Sequence, residues 1–167
     1  YFLFFNSQTK LAKSNDENAP KSIAVLYFEN MTGDKNQEYF SDGLTEEITS
    51  RLAKIKRLSV RGRTSVLPYK GKASNIKKIA EELKVTTMLE GSVRQSGNTV
   101  RITAQLIDAE TDTHFWLEDF TRELKDIFQL QRDVAHAIAK KLEIKISGEE
   151  SDKINQGSTK NIVAYDY

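Results

Sequence analysis

The sequence contains no cysteine, which excludes a disulfide framework, a thiolate nucleophile and cysteine-ligated zinc. Histidine is nearly as scarce, with only His114 and His136. Neither belongs to an H-E-x-x-H zinc motif, and there is no G-x-S-x-G nucleophile elbow. No apolar run approaches the roughly 20 residues that a bilayer-spanning helix requires. Charge of one sign is also missing, since 25 Lys and Arg oppose 24 Asp and Glu, so the overall charge asks for no polyanionic partner. Locally, however, there is no acidic residue between Glu47 and Glu81.

The 167 residues suffice for one domain with a proper core plus tails. An apolar share of 38% is that of a folded domain on the polar side. Residues 1–5, Tyr-Phe-Leu-Phe-Phe, are apolar and read as the end of a membrane helix. Residues 6–21 are polar, without periodicity, and read as a tether.

From Ser22 the pattern becomes that of a folded unit. Ile23 to Phe28 is a continuous apolar run, expected of a central strand covered on both faces. Phe40, Leu44, Ile48, Leu52 and Ile55 mark one face of a helix, with Ser41 or Asp42 expected to cap its first amides. Leu58 to Arg63 reads as a second strand, parallel to the first through a right-handed crossover. Ile76, Ile79, Ala80 and Leu83 stripe a second helix over residues 74–83.

Two alternating runs follow, Thr87-Leu89-Gly91-Val93 and Val100-Ile102-Ala104-Leu106, separated by Ser96-Gly97-Asn98. They predict an antiparallel hairpin with one buried face. Asp108 to Asp112 reads as a turn and Thr113 to Thr121 as a further strand. Leu124, Ile127, Leu130, Val134, Ile138 and Leu142 predict a long helix. The fold class is therefore α/β (α+β), a mixed sheet of about five strands with about three helices in β-α-β-α-β-β-β-α order. Residues 147–160 read as a polar linker and 161–167 as the start of another helix.

No constellation of these residues assembles a reaction. His136 sits among Ala135, Ala137 and Ala139, a setting for a structural or exposed histidine. Glu46-Glu47, Glu81-Glu82 and Glu149-Glu150 read as solvated faces, and adjacency alone raises no carboxyl pKa. Lys70-Gly71-Lys72 is only a faint echo of a phosphate loop, because Val66 and Ala73 stand where glycine and Ser or Thr are needed. It reads as a turn. No catalytic group, metal ligand or cofactor site is assigned.

The basic interval from Arg51 to Lys78 is the one feature of charge that suggests a surface. Arg61, Arg63, Tyr69, Lys70 and Lys72 are its candidate interaction residues. A polyanion, whether nucleic acid or an anionic membrane surface, would engage such an interval with strong salt dependence. Only Tyr69 is placed for base stacking, so nucleic acid is not favoured.

Three segments, YFSDGLTEE, LEGSVR and RITAQLIDA, occur within residues 22–146 in an order that closely resembles the TolB-like amino-terminal domain. The resemblance implies an extracytoplasmic, periplasmic α/β domain used for protein contacts, with no assigned catalytic residue. It implies a position between a membrane helix and tetratricopeptide repeats, in cis with a class III nucleotide cyclase or a winged-helix regulator. The expected role is a non-enzymatic interaction or ligand-sensing module that relays to an effector. The two alternatives are polyanion binding through residues 51–78 and accessory service to a cyclase whose catalytic domain lies elsewhere in the protein. The sequence departs from the resemblance at Asp112, where glycine is usual after threonine.

Overall fold

The computed structural model describes residues 21–72, 75–144 and 148–156. In chain order the elements are β1 (Lys21–Val25), β2 (Glu29–Asn30), α1 (Glu38–Ala53), β3 (Leu58–Val60), α2 (Arg63–Val66), α3 (Ile76–Leu83), β4 (Thr87–Ser96), β5 (Thr99–Asp108), β6 (Thr113–Glu123), α4 (Ile127–Lys141) and α5 (Gly148–Asn155). The expected membrane-helix end at 1–5, the tether up to residue 20 and the repeat entry at 161–167 lie outside the described residues.

The sheet is ordered β3-β1-β4-β5-β6, with β2 paired to β4 beyond the end of β1. β1 runs parallel to both β3 and β4, whereas β4-β5-β6 form an antiparallel meander. Alternate β1 side chains enter different cores. Ile23 and Val25 pack with Leu44, Ile48 and Leu52 of α1, together with α4 residues such as Val134 and Ile138. Ala24 packs on the opposite face with Ile79, Ala80 and Leu83 of α3. The apolar run therefore serves a strand covered on both sides, as a central parallel strand requires.

That run nevertheless does not continue as one strand to Phe28. Leu26 N still donates to Leu89 O at 3.0 Å, but the Phe28 backbone leaves the ladder. Phe28 N donates to Thr45 Oγ1 at 3.1 Å, and Phe28 O accepts from Ser41 Oγ at 3.0 Å. Pairing resumes at Glu29↔Ser92. The buried hydroxyls of α1 thus satisfy a backbone that would otherwise be stranded. Ser41 is consequently no helix cap, and Asp42 is not one either. Gln37 stands at the α1 N-cap without a side-chain bond, and Asp34 caps the preceding 3-10 turn through Asn36 N.

The hairpin keeps the expected register, with Leu89↔Leu106, Gly91↔Ala104 and Val93↔Ile102. Its loop is Gly97-Asn98, and the positive φ falls on Gly97 at +57°, as a type II′ connection demands. β6 carries a bulge opposite Leu106/Ile107. Helix and strand counts exceed the expected ones because β2, α2 and α5 are short. α5 falls within residues 147–160, the stretch read from the sequence as a polar linker. A buried Ile154 explains it, joining the larger core from a segment whose polar composition hides the contact.

Candidate functional site

In an open α/β sheet, a crevice forms beyond the carboxyl end of a strand whose neighbours are reached by connections on opposite faces. β1 satisfies that condition, since α1 leads to β3 over one face and α3 precedes β4 on the other. A groove of about 860 Å³ lies there. Residues 26–30 form one wall, Glu38 of α1 and Lys70-Gly71 another, and Glu90, Gly91, Ser92, Thr103 and Gln105 the floor.

Gly91 makes the wall possible. A Cβ there would stand 2.8 Å from Thr103 O and 2.9 Å from the Phe28 ring, so only glycine lets Phe28 seat beneath the groove. The floor is tied by hydrogen bonds. Gln105 Nε2 donates to Glu90 Oε2 at 3.0 Å, and Gln105 Oε1 meets His114 Nδ1 at 3.0 Å. Beside it, Thr103 Oγ1 donates to Asp119 Oδ1 and Arg101 Nη2 contacts Asp119 Oδ2, each at 2.5 Å. The Thr103 and Arg101 donors hold the Asp119 carboxyl below its ordinary pKa.

At the mouth, Lys70 Nζ lies 2.5 Å from Asp42 Oδ2, 3.6 Å from Glu38 Oε2 and 5.6 Å from the centre of the Tyr27 ring. The bond to Asp42 raises the Lys70 pKa more than its partial burial lowers it, so the ammonium form is favoured. Tyr27 in turn donates to Glu46 Oε1 at 2.8 Å, and Arg63 Nε contacts the same oxygen at 2.6 Å. Burial, then the Glu46 bond, pushes the Tyr27 hydroxyl pKa up.

The sequence-derived candidates are only partly brought together. Lys70 lines the groove and Arg63 lies behind Tyr27 in a pocket of about 50 Å³. Arg61 also borders that pocket, but its guanidinium caps the end of α3, donating to Leu83 O at 2.6 Å and Lys84 O at 2.8 Å. Tyr69 donates to Glu82, and Lys72 is exposed at the turn. Elsewhere in the basic interval, Arg51 is buried against Gln131 and the Ile154 carbonyl. The interval is thus largely committed to holding the domain together. Tyr27, Glu38, Asp42 and Glu90 were not among the candidates. The glycine inside an alternating strand was the available signal.

His114 and His136 stay on separate elements, the latter 3.1 Å from Asn155 Oδ1. Among the described residues no group of three or more His, Asp or Glu side chains is placed to hold a metal ion.

Residues 19–138 match the second domain of HilA/YgeH-like transcriptional regulators. The chain belongs to that family. A curated relative from Rhizobium meliloti (strain 1021), named "Putative adenylate cyclase 3", is 44% identical over 148 residues, 89% of this chain. The chain spans 25% of that relative's length. Among solved structures, TolB from Acinetobacter baumannii superposes with a TM-score of 0.56 at 19% identity, over 75% of this chain and 29% of that one. Lipoprotein GNA1162 from Neisseria meningitidis gives 0.54 at 18% identity, over 72% of this chain and 99% of its own. LpoB of E. coli gives 0.51 at 16% identity, over 62% and 57%. At these identities the structures establish that this regulator-family domain has the TolB-like fold. No helix among its described residues is long and apolar enough to cross a membrane.

Proposed function

We propose that this chain is a non-catalytic binding domain of a membrane-anchored regulatory protein, lying outside the cytoplasm and relaying ligand or partner state to an effector in the same polypeptide. The observation that carries the reading is the groove. It is concave, polar and placed where the fold concentrates binding, yet Lys70 and Glu38 at its mouth and Glu90 in its floor are held by different neighbours and not aimed at a common reacting point.

A relay path accompanies it. α1 begins at the groove with Glu38 and ends where α5 docks, through Arg51 to the Ile154 carbonyl and Glu150 Oε2 to Lys56 N at 3.0 Å. A 16-residue helix carries displacement over about 24 Å. The cyclase-named relative, four times longer than its match here, supports an accessory role beside a nucleotide cyclase. The name of the lipoprotein neighbour is the support for extracytoplasmic placement; a membrane helix and tetratricopeptide repeats in cis complete the proposed arrangement.

Two measurements test the reading. The purified chain incubated with ATP and Mg²⁺ or Mn²⁺ yields no cyclic AMP and no hydrolysis product. In cells, alkaline phosphatase fused within the full-length parent directly after Asn155 is active. Specific nucleotide turnover by the chain overturns the first half of the reading, and an inactive phosphatase fusion the second.

A further inference from the structure

We propose that the groove receives an extended peptide segment bearing a lysine side chain, and that Lys70 is a built-in competitor for the ammonium subsite. The inference deepens the binding-domain reading and rests on it. The Lys70 ammonium already shows the chemistry that the mouth accepts: two carboxylates, Asp42 and Glu38, and the face of Tyr27. An aromatic face flanked by carboxylates is what recognises an alkylammonium group. Asp42 Oδ1 is closed off from solvent and has no hydrogen-bond partner among the described residues, so this carboxylate depends on a cation beside it.

Lys70 reaches that place from a surface turn. It follows a 3-10 turn at Leu67–Tyr69, precedes Gly71 at φ +71°, and its side chain is 34% exposed. Such a lysine can swing away without disturbing either core. Around it the groove is acidic, lined by Glu29, Glu38 and Glu90, and Lys70 is its one basic residue among those described. An anionic ligand would meet three carboxylates against one ammonium there. The volume of about 860 Å³ far exceeds one ammonium group. Its floor offers the Ser92 hydroxyl, and beyond their bonds to Asp119, Glu90 and His114 the Thr103 oxygen can still accept and the Gln105 amide still donate to an extended chain.

Calorimetric titration of the 167-residue chain tests this with three probes: acetyl-Ala-Ala-Lys-Ala-Ala-amide, the same peptide with Glu for Lys, and 1,5-diaminopentane. The lysine peptide binds, the glutamate peptide does not, and the diamine binds more weakly than the lysine peptide. Lys70→Met tightens lysine-peptide binding by about threefold or more, because the competitor is gone. Glu38→Gln weakens it about tenfold. Glu90→Gln, a change on the open sheet face that leaves the fold intact, weakens it about threefold. Equal binding of the glutamate peptide, no binding of either peptide, or unchanged affinity in both Lys70→Met and Glu90→Gln overturns the proposal. A diamine as tight as the peptide overturns its peptide half. Failure here leaves the absence of turnover standing, whereas nucleotide turnover would remove the binding-domain reading itself.

Discussion

The Phe28 ring fills the space that a side chain on Gly91 would need, with ring atoms 2.9 Å from the position of a Cβ. This contact lets β1 break off, lets Ser41 and Thr45 take over the Phe28 backbone, and leaves a concavity where a flat sheet would otherwise continue. Backbone of Thr103 lies equally close, so the strain of an added methyl cannot be relieved by moving a side chain alone. Gly91→Ala is expected to destabilise the domain by about 2 kcal/mol. Urea unfolding reads this as a lower midpoint at unchanged slope.

Arg51 is 1% exposed and ties three helices together, through Gln131 on α4 and the Ile154 carbonyl on α5. Arg51→Ala leaves both acceptors buried and opens a void, a combined loss of about 3 kcal/mol. Ile154→Ala costs about 2 kcal/mol or more through the void alone. In both variants, hydrogen exchange of α5 amides rises before that of β4 and β5. An α5 that exchanges as slowly as in the unmutated chain contradicts this.

Asp112 holds φ at +51°, a conformation glycine adopts without penalty. The turn geometry is therefore the one glycine would favour, and aspartate is the departure. Asp112→Gly is expected to stabilise by about 0.5 kcal/mol, read as a small rise in the urea midpoint. A fall in the midpoint contradicts it.

Asp119 gives a pH dependence with a definite sign. Thr103 first, and Arg101 next, depress its pKa in the folded state. Its contribution is complete above the pKa of an ordinary aspartate and is lost as pH falls through the lowered folded value. Asp119→Asn therefore flattens the acid limb of the stability profile, with little change in slope near neutrality. An identical acid limb in the two proteins contradicts the assignment.

Periodicity revealed the helices at Phe40 and Leu124 and the register of the hairpin, because each rests on a spacing repeated over several residues, and the unbroken apolar run revealed both faces of β1. What stayed hidden depends on single side chains meeting across long separations. Ser41 and Thr45 look like ordinary helix residues until Phe28 needs their hydroxyls. Ile154 is one apolar residue in a polar stretch. Arg61 and Lys70 read as surface charge because sequence does not show that α3 ends beside the one and that Asp42 faces the other. The groove escaped for the same reason: its lining comes from α1, the turn before α3 and three strand segments.

The concavity at the end of β1 is the proposed place where this domain meets its partner. Two-dimensional NMR of the isotope-labelled chain, titrated with acetyl-Ala-Ala-Lys-Ala-Ala-amide, tests it most directly. Amide shifts are expected to cluster at Tyr27, Phe28, Asn30, Lys70, Gly71, Gly91 and Ser92, with weaker changes along α1. Shifts confined to the β6 edge or to Arg61, Arg63 and Lys72, with the groove amides unmoved at saturation, would contradict it.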